Sequence, residues 1–504
     1  MQISVLDIII IAVYLVGVTL FGCSFYFKKD SSDARTFMSG GGRIPGWAIA
    51  LSIFATLVSS ISFLALPAKA YLTNWNCYVL TLTIPVAATI AAVWFVPFYR
   101  KTNSISAYTY LEERFGSWAR IYASACFIIM QSARSGVILF LLALTLKSAL
   151  GFSSLAIIIV TGILTMLYSM MGGFKAVIWA DAIQSLVLII GTLVVMASLV
   201  LNMPDGLGNG LQMAWDAGKF SLGSLSLSDW STETFWVSFV YGVFINLQNF
   251  GIDQSFTQRY IAAGSLKSAR RSAFNGAMLY VPVTLMFVLI GTGLWIFQTT
   301  HPGIIPPEVA EQSDSVYPWY IVHMLPHGMS GLLIAAIIAA AMSTIAATLN
   351  SGSTVLLEDY FKKFFPAKAT AQNNIKFLRI MTVALTIFSI GVAVAVMNVK
   401  SALTVWWSMQ SVLSGGMLGL FLLGVFTRRT TSVQAAIATT LGLFTVIYIT
   451  FGQKIFPLPS FIHLNLAIVL GTLTIFFTGF ILSYILPARK KASDDPAVKP
   501  DNKI

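Results

Sequence analysis

The stretch that decides the fold is residues 53–71, IFATLVSSISFLALPAKAY. Both of its ends are apolar enough for a membrane helix, but Thr56, Ser59, Ser60 and Ser62 lie in the middle. Non-helical backbone at membrane depth is tolerated only where it lines a cavity or is buried in protein. The pattern therefore predicts a broken helix inside the protein rather than a helix that faces lipid.

The composition on either side of this stretch is that of a membrane protein. Of the 504 residues, 57% are hydrophobic and only 10% are charged, and the mean hydropathy is +0.81. Soluble domains carry about 25% charged residues, and about 20 apolar residues cross a bilayer. Thirteen apolar segments predict an all-α protein with thirteen transmembrane helices. The segments are about 4–26, 47–72, 77–99, 119–149, 153–171, 176–201, 234–257, 273–298, 329–356, 376–398, 402–426, 432–451 and 464–486.

The basic residues predict the orientation of the chain. Most of the 31 Lys and Arg residues, Arg259 among them, fall in alternate loops that are cytoplasmic if the N-terminus is outside. Solvated cytoplasmic loops then account for the net charge of +12, and nucleic acid is set aside as a partner. We expect a monomeric, multi-pass protein of the bacterial plasma (inner) membrane with a cytoplasmic C-terminus.

Several other classes of chemistry are disfavoured. The three cysteines lie in apolar segments and are odd in number, and the four histidines have no metal-ligand spacing. The N-terminal stretch lacks a positive region and a cleavage site, so it is predicted to be a membrane helix rather than a signal peptide. No nucleophile, base and orienting group converge on one face, so an enzyme is the least favoured class.

Two ionisable residues lie inside predicted spans. Arg134 is near the middle of segment 119–149, where an arginine costs about 2.5–3.5 kcal/mol on insertion scales. It either presents a guanidinium fork to a substrate carboxylate or pairs with a polar group on a neighbouring helix. Asp181 lies about five residues inside its segment and could bind a cation, relay a proton or cap a helix terminus.

A second cluster of hydroxyls occurs in residues 338–354, IAAAMSTIAATLNSGST, where Ser343 and Thr344 lie among alanines. Small residues permit close approach between membrane helices, so these hydroxyls are expected at a helix contact. Hydroxyl and carbonyl oxygens without thiols or imidazoles suit a hard ion. No carboxylate lies beside the pair, which disfavours Ca²⁺ and Mg²⁺. Sodium is therefore the simplest candidate.

A second interrupted span is predicted at residues 241–259, YGVFINLQNFGIDQSFTQR. Spans two to six and seven to eleven form two sets of five, and an odd number gives the two sets inverted topology. Paired interrupted helices in two inverted halves indicate the midplane site of a secondary transporter. The predicted organisation is an extra N-terminal helix and loop (1–46), a first repeat (47–201), an extracellular loop (202–233), a second repeat (234–426), two further helices (427–486) and a disordered cytoplasmic tail (487–504).

Four motifs resemble the sodium:solute symporter family, whose members have a LeuT-like core of two inverted five-helix repeats. They are SGGGRIPGWAIALSIFATLVSSISFLALPAKAY, MGGFKAVIWADAIQ, NFGIDQSFTQRYIAA and IAAAMSTIAATLNSGS, in this order along nearly the whole chain. Within the family, the chain is most similar to bacterial transporters of sialic acid. The resemblance implies symport driven by Na⁺.

The resemblance also implies the substrate site. Arg134 would bind the substrate carboxylate, and the pocket would be lined by Ser59, Ser60 and Ser62 from the first broken helix and by Asn246 from the second. The sialic acid branch has threonine, phenylalanine and glutamine where this chain has Leu57, Cys77 and Thr81. Thr81 is thus a further candidate for substrate contact, and these changes affect the expected recognition of the substrate.

For the ion, the resemblance implies a main Na⁺ site and a second site that some members use. The main site would use the carbonyls of Ala55, Val58 and Ala340 with the hydroxyls of Ser343 and Thr344. The second site uses an aspartate, matched here by Asp181, and hydroxyls that are replaced in part by Ala346 and Ala347. We expect Asp181 to mark a vestigial site and one Na⁺ to move per cycle.

The expected function is Na⁺-driven import of a small hydrophilic anion, a sialic acid or a related sugar acid. A symporter of neutral sugars or other organic solutes from the same family is the alternative, with a structural role for Arg134. A membrane sensor or a channel is a less favoured alternative. A sensor is expected to carry a cytoplasmic signalling domain, whereas the residues after 486 form a short polar tail. A channel would conduct its solute downhill without concentrating it.

Overall fold

The structure is a computed structural model that describes residues 4–27, 33–102, 104–203, 206–397, 402–455 and 462–486. The tail predicted to be disordered, 487–504, lies outside these ranges. The described residues form helices and no β-strand, and one isolated parallel bridge joins Ile44 to Ala263. The all-α prediction is confirmed for this part of the chain.

The α-helices before residue 220 are α1 (Val5–Ser24), α2 (Ala34–Ser39), α3 (Gly46–Leu57), α4 (Ser60–Leu72), α5 (Val79–Leu82), α6 (Ile84–Ile90), α7 (Val96–Thr102), α8 (Thr109–Phe115), α9 (Ser117–Leu150), α10 (Ser154–Leu201) and α11 (Gly206–Asp216). Those that follow are α12 (Phe235–Ile252), α13 (Gln254–Ala262), α14 (Leu266–Thr300), α15 (Pro307–Ala310), α16 (Ser313–His323), α17 (Met329–Val355), α18 (Lys362–Phe364), α19 (Ala371–Val396), α20 (Ala402–Phe426), α21 (Ser432–Ile455) and α22 (Ala467–Ile485). Short 3₁₀ segments occur at Phe25–Phe27, Gly40–Gly42, Trp75–Tyr78, Pro366–Lys368 and Leu464–Leu466, and π-helical turns occur at Ala91–Phe95 and Leu356–Phe361.

Eleven helical segments of the described chain are long and apolar enough to cross a membrane. The pair α3 and α4 is bent by 56° and adds a twelfth if it forms one span. One predicted boundary differs from the structure. Segments 153–171 and 176–201 are joined in α10, which contains one non-helical residue, Gly173 (φ 60°, ψ −157°). Segment 234–257 is divided between α12 and α13, within the interruption predicted at 241–259.

The first break follows from the chemistry of its own residues. After α3 ends at Leu57, Val58 (φ −79°, ψ 120°) and Ser59 (φ −119°, ψ 169°) are extended. Ser59 is the N-cap of α4, and its hydroxyl accepts a hydrogen bond from the N–H of Ser62 at 3.4 Å. A serine at this position satisfies a donor that the helix itself leaves free. The predicted broken helix is confirmed here.

The second break lies at Asp253 (φ −72°, ψ 124°), between α12 and α13. The Asp253 carboxylate accepts hydrogen bonds from the N–H of Ser255 at 2.7 Å and from the Gln131 amide of α9 at 2.5 Å. Asp253 therefore caps α13 and ties it to α9. The interruption predicted over 241–259 is confined to this one residue, because Asn246 stays inside α12.

Helix α17 occupies the centre of the molecule. In the most apolar stretch of Met329–Phe364, 94% of the residues are buried, against 28% for the segment that contains α1. The alanines, serines and glycines of α17 let α10, α9, α1 and α19 pack closely around it. Helices α3 and α4 pack against α14, and α13 packs against α17. Both breaks therefore lie beside central helices.

Some cations expected in solvated cytoplasmic loops are buried, which corrects the sequence-based interpretation. Arg259 lies on α13 with 0% of its side chain exposed. Arg120 donates to the carboxylates of Glu112 (2.7 Å) and Asp359 (2.6 Å), with only 12% of its side chain exposed. Lys219, which lies in the loop 202–233 predicted to be extracellular, is also buried, and its ammonium donates to the carbonyl of Tyr71, 2.7 Å away, near the end of α4. These cations form ion pairs or hydrogen bonds between different segments of the chain, in addition to any effect on membrane orientation.

Candidate functional site

Five oxygen atoms converge where the first break meets α17. The Ser343 hydroxyl lies 3.2 Å from the carbonyl oxygen of Ala55 and 3.1 Å from that of Ala340. The Thr344 hydroxyl lies 3.3 Å from the carbonyl oxygen of Val58 and 3.1 Å from that of Ala340. All five predicted residues of the main sodium site are thus brought together. We call this group the oxygen cluster.

The local backbone explains why these carbonyls are available. The last carbonyls of a helix have no donor within the helix, and α3 ends two residues after Ala55. The C-terminal end of a helix also carries partial negative charge, which favours a cation. Because the cluster contains only neutral oxygens, it fits a hard monovalent cation. Among the described residues, no group of three His, Cys, Asp or Glu side chains could hold a metal ion.

A cavity of about 150 Å³ lies beside the first break and reaches α12 and α13. Three of the six predicted substrate residues line it: Thr81, Arg134 and Asn246. Leu57 also lines it. The cavity therefore touches both broken spans and α9.

Arg134 is half-buried in this cavity, and no described residue accepts a hydrogen bond from its guanidinium. Among the described residues, no carboxylate forms an ion pair with it. Five N–H donors of an arginine at membrane depth are thus available to a ligand. A guanidinium with free donors can bind a carboxylate through two parallel hydrogen bonds.

Asn246 has a partly structural role. Its amide donates to the carbonyl of Leu80 at 3.1 Å and to the hydroxyl of Thr83 at 2.9 Å. These bonds fix α12 against α5 and the turn that follows it. The amide oxygen of Asn246 is left as an acceptor next to the cavity.

The three predicted serines are placed differently. None of Ser59, Ser60 and Ser62 is among the residues that line this cavity. Ser59 caps α4, Ser62 interacts with the Tyr280 side chain, and the buried Ser60 hydroxyl has no hydrogen-bond partner in the described chain. Their contact with a substrate remains a prediction.

The structure adds lining residues that the sequence analysis missed. They are Thr56, Leu80, Ile84, Tyr241, Ile245, Asn249, Phe256 and Tyr280. Asn249 belongs to the polar stretch 241–259 and could have been proposed from it. A single tyrosine in an apolar helix, such as Tyr241 or Tyr280, looks the same whether it faces lipid or a cavity, so the sequence offers no signal for it.

Asp181 is engaged elsewhere. Its carboxylate forms an ion pair with Arg259 of α13 at 2.8 Å and accepts a hydrogen bond from the Ser52 hydroxyl of α3 at 2.5 Å. The side chains of Asp181 and Arg259 are both 0% exposed. Ala346 and Ala347 of α17, which the resemblance implies for the second site, are buried and carry no hydroxyl. The pair joins α3, α10 and α13, and Arg259 supplies the cation that balances Asp181.

Comparisons with known proteins identify the relatives of this chain. The model of the sodium:solute symporter family matches residues 37–442. The chain is 29% identical to the sodium/sialic acid symporter SiaT of Proteus mirabilis over 486 residues, covering 96% of both chains. It is 30% identical to the sodium/sialic acid symporter NanT of Aliivibrio fischeri, over 90% of this chain and 89% of that protein. It is also 26% identical to the human sodium-coupled monocarboxylate transporter 1, over 90% of this chain and 74% of that protein.

Two solved structures are similar in fold. One is a Na⁺-coupled sialic acid symporter in a substrate-bound outward-open state, with a TM-score of 0.89 and 28% identity, covering 97% of this chain and 100% of that one. The other is the nucleobase-cation symporter Mhp1, with a TM-score of 0.54 and 14% identity, covering 91% of this chain and 96% of that one. The second likeness concerns the fold alone.

Proposed function

The chain belongs to the sodium:solute symporter family, and we propose that it imports a sialic acid or a related sugar acid together with Na⁺ by alternating access. Membership of this family makes it a multi-pass membrane transporter rather than an enzyme, and Na⁺ is its coupling ion. The relatives named above include two sialic acid symporters, which supports the choice of substrate class.

The observation that carries the substrate proposal is the Arg134 guanidinium. It lines the cavity at the two breaks and has no hydrogen-bond acceptor in the described chain. A planar guanidinium matches a carboxylate with two parallel hydrogen bonds. In this proposal Thr81 and Asn246 contact the rest of the solute, and Ser59, Ser60 and Ser62 reach it in a more open state.

The oxygen cluster supports the site proposed for the ion. Na⁺ would replace the hydroxyl-to-carbonyl hydrogen bonds there by direct contacts with all five oxygens. Because two of the carbonyls belong to the end of α3 and the other groups to α17, the ion would fix one helix against the other. It drives transport only through its different affinity for the two conformations.

The membrane topology proposed here has thirteen spans. Helix α10 has 48 residues, which corresponds to about 72 Å at 1.5 Å per residue, more than twice a hydrocarbon core of about 30 Å. A division at Gly173 turns it into two spans and restores the inverted repeats 47–201 and 234–426. The positive-inside rule then places the N-terminus outside and the C-terminus in the cytoplasm of a bacterial cell. We propose that the transporter works as a monomer in the plasma membrane.

A smaller carboxylate is the second candidate substrate. The cavity of about 150 Å³ has about half the volume of the smallest sites in the range of roughly 300–1,000 Å³ that is typical of drug-sized ligands. The resemblance implies a threonine and a glutamine in the sialic acid branch at the positions of Leu57 and Thr81. Leu57 and Thr81 therefore offer fewer hydrogen-bonding groups to a large polar solute. Sodium-coupled monocarboxylate transporters are among the relatives. Uptake of radiolabelled sialic acid and of radiolabelled pyruvate, measured separately under the same Na⁺ gradient, separates the two candidates.

The test of substrate recognition is uptake into proteoliposomes under an inward Na⁺ gradient. Arg134→Gln should raise the KM for the acidic substrate by roughly 10- to 100-fold, as expected for the loss of hydrogen bonds to a charged group. Lys147→Gln on the same helix, at an exposed position, serves as the matched control and should leave KM unchanged. An unchanged KM in Arg134→Gln would favour a neutral solute and overturn the assignment.

The test of the ion site uses the same vesicles. Ser343→Ala should raise the Na⁺ concentration needed for half-maximal uptake, while Ser353→Ala, buried on the same helix outside the oxygen cluster, should not. If Na⁺ dependence is the same in Ser343→Ala and the unmodified chain, the ion binds elsewhere.

A further inference from the structure

A second and larger cavity, of about 420 Å³, lies between the beginnings of α3 and α14. Its polar lining comes from Ser265, the N-cap of α14, and from Lys267, Ser268, Arg271, Ser272 and Asn275 of α14. Trp47 of α3 forms the opposite wall. None of these residues belongs to the substrate cavity or the oxygen cluster.

The electrostatics of this cavity favour an anion. Lys267 and Arg271 are exposed, and neither forms an ion pair within the described chain. No Asp or Glu lines the cavity. The N-termini of α3 and of the 35-residue α14 meet here, and helix N-termini carry partial positive charge. Two side-chain cations and two helix dipoles therefore act on the same volume.

Exposed apolar side chains occur at the cavity, where Trp47 lines it, and next to its lining residues on α14. Trp47 is 58% exposed, Leu266 is 40% exposed and Phe274 is 38% exposed. The Trp47 ring packs edge to face against Trp179, with centroids 5.3 Å apart, which fixes its orientation. Exposed tryptophans of this kind are enriched at the membrane–water interface. A ligand with an anionic head and an apolar tail would match both the cations and this apolar surface.

We propose that the cavity binds the phosphate of an anionic phospholipid, such as phosphatidylglycerol, from the cytoplasmic leaflet. The proposal rests on the orientation given under the proposed function, because it requires α3 and α14 to begin on the cytoplasmic side. Lys267 and Arg271 contact the phosphate, Ser268 and Asn275 offer hydrogen bonds, and the acyl chains lie against Trp47 and Phe274. Basic pockets between transmembrane helices on this side are suited to such headgroups.

Helix α3 connects the cavity to the proposed Na⁺ site. The Ser272 hydroxyl donates to the Gly46 carbonyl at 2.8 Å and so fixes the beginning of α3 to α14. The other end of α3 supplies the carbonyls of Ala55 and Val58 to the oxygen cluster. A lipid phosphate at this joint would therefore contact the same helix whose far end is proposed to bind Na⁺.

The experiment measures lipid binding to the purified full-length chain by native mass spectrometry. Short-chain phosphatidylglycerol and phosphatidylcholine are added separately, without substrate or Na⁺. We expect phosphatidylglycerol to bind more tightly, and Lys267→Gln/Arg271→Gln to weaken it by about 30-fold. Lys376→Gln/Arg428→Gln removes two exposed cations at other places and should change the affinity by less than about threefold, since the total charge has only a minor effect at a distance.

Asn275→Asp tests the site without removal of a cation. It keeps the size of an exposed side chain and adds a negative charge to the cavity, so it should weaken phosphatidylglycerol and leave phosphatidylcholine unchanged. Size-exclusion profiles and melting temperatures of all variants verify folding. This variant keeps the proposal testable if the double variant does not fold.

Three outcomes would overturn the proposal. Equal binding of the two lipids would remove the need for an anionic head, and equal losses in the double variant and its control would indicate attraction by net charge alone. Complete displacement of the lipid by the same concentration of inorganic phosphate would identify a free phosphate site instead. Because no transport is measured, a chain that fails to carry sialic acid but keeps this lipid selectivity contradicts the proposed substrate and not the lipid site.

Discussion

Two arginines of this transporter occupy the protein interior with opposite consequences. Arg259 is completely buried and neutralised by Asp181 at 2.8 Å. Arg134 is half-buried and faces a cavity, and the described chain offers its guanidinium no hydrogen-bond acceptor. A buried charge is tolerated when it is paired, so Arg259 needs no ligand. Arg134 lacks such a partner and is the better candidate for substrate recognition.

The first prediction concerns the Asp181–Arg259 pair. Removal of one member leaves a buried charge without its partner, which costs about 3–5 kcal/mol. Asp181→Asn should therefore lower the melting temperature in detergent more than the double variant Asp181→Asn/Arg259→Gln does. The single variant leaves the Arg259 charge buried without a partner, whereas the double variant contains neither charge. Fluorescence-monitored thermal unfolding measures both. Equal melting temperatures of the single and double variants would contradict a role of the pair in stability.

At the scale of helices, the two broken spans differ in how far the sequence predicts them. The first break was predictable, because Ser59 and its neighbouring hydroxyls have no place in a lipid-facing helix and Ser59 acts as an N-cap. The second was located only roughly. Asn246 directs its amide to Leu80 and Thr83 on another segment instead of its own backbone, so α12 continues until Asp253.

The sequence also predicted only some of the residues of the candidate site. The oxygen cluster depends on local spacing in two short motifs, and all five of its residues converge as expected from the resemblance. The burial of Arg259 depends on Asp181, 78 positions away, and no local pattern distinguishes it from a solvated loop cation. The lining tyrosines, Tyr241 and Tyr280, could not be assigned either, because only tertiary packing decides which face of a helix meets a cavity.

The second prediction concerns the division of α10. Gly173 has φ 60° and ψ −157°, a conformation that is essentially limited to glycine and costs other residues about 1–3 kcal/mol. A Cβ atom there would also lie 2.9 Å from the Phe37 carbonyl oxygen. Gly173→Ala should therefore lower the melting temperature and the yield of folded protein. Gly391→Ala, at a helical glycine with open space around it, should be neutral or slightly stabilising. Similar losses in both variants would contradict this explanation.

At the scale of the whole molecule, a polar network joins α8, α9 and α18. Glu112 accepts hydrogen bonds from Lys363, from Arg120 at 2.7 Å and from Ser117 at 2.8 Å. Burial raises the pKa of Glu112, but these partners, Lys363 first, outweigh burial and lower the pKa to about 2. The network therefore contributes stability above the ordinary pKa of 4.5, and this contribution is lost as the pH falls towards about 2.

The third prediction follows from that shift. The melting temperature of the unmodified chain should fall between about pH 5 and pH 3, and it should fall less in Glu112→Gln, which has no carboxyl group to protonate. Glu113→Gln, at the exposed neighbouring position, is the control and should behave like the unmodified chain. If all three proteins show the same dependence on pH, another group controls acid stability.

The last prediction concerns the net charge that crosses the membrane in each cycle. The oxygen cluster is the one cation site that we propose, because Asp181 is already balanced by Arg259, whose charge opposes a second cation nearby. Ala346 and Ala347 supply no hydroxyl that could complete a second site. One Na⁺ with one monovalent sugar acid carries no net charge, so the membrane potential, worth about 2.3 kcal/mol per charge per 100 mV, should not drive accumulation.

Uptake is therefore expected to be the same in proteoliposomes with and without a potassium diffusion potential set by valinomycin, and no steady current should accompany it. The chemical gradient of Na⁺ alone should set the accumulation ratio. A neutral substrate with one Na⁺, or an acid with two, would move one positive charge per cycle and make uptake rise with an inside-negative potential. Because the Arg134→Gln assay decides independently whether the solute is an acid, a potential-dependent uptake of an acidic solute would show that a second Na⁺ binds despite the Asp181–Arg259 pair.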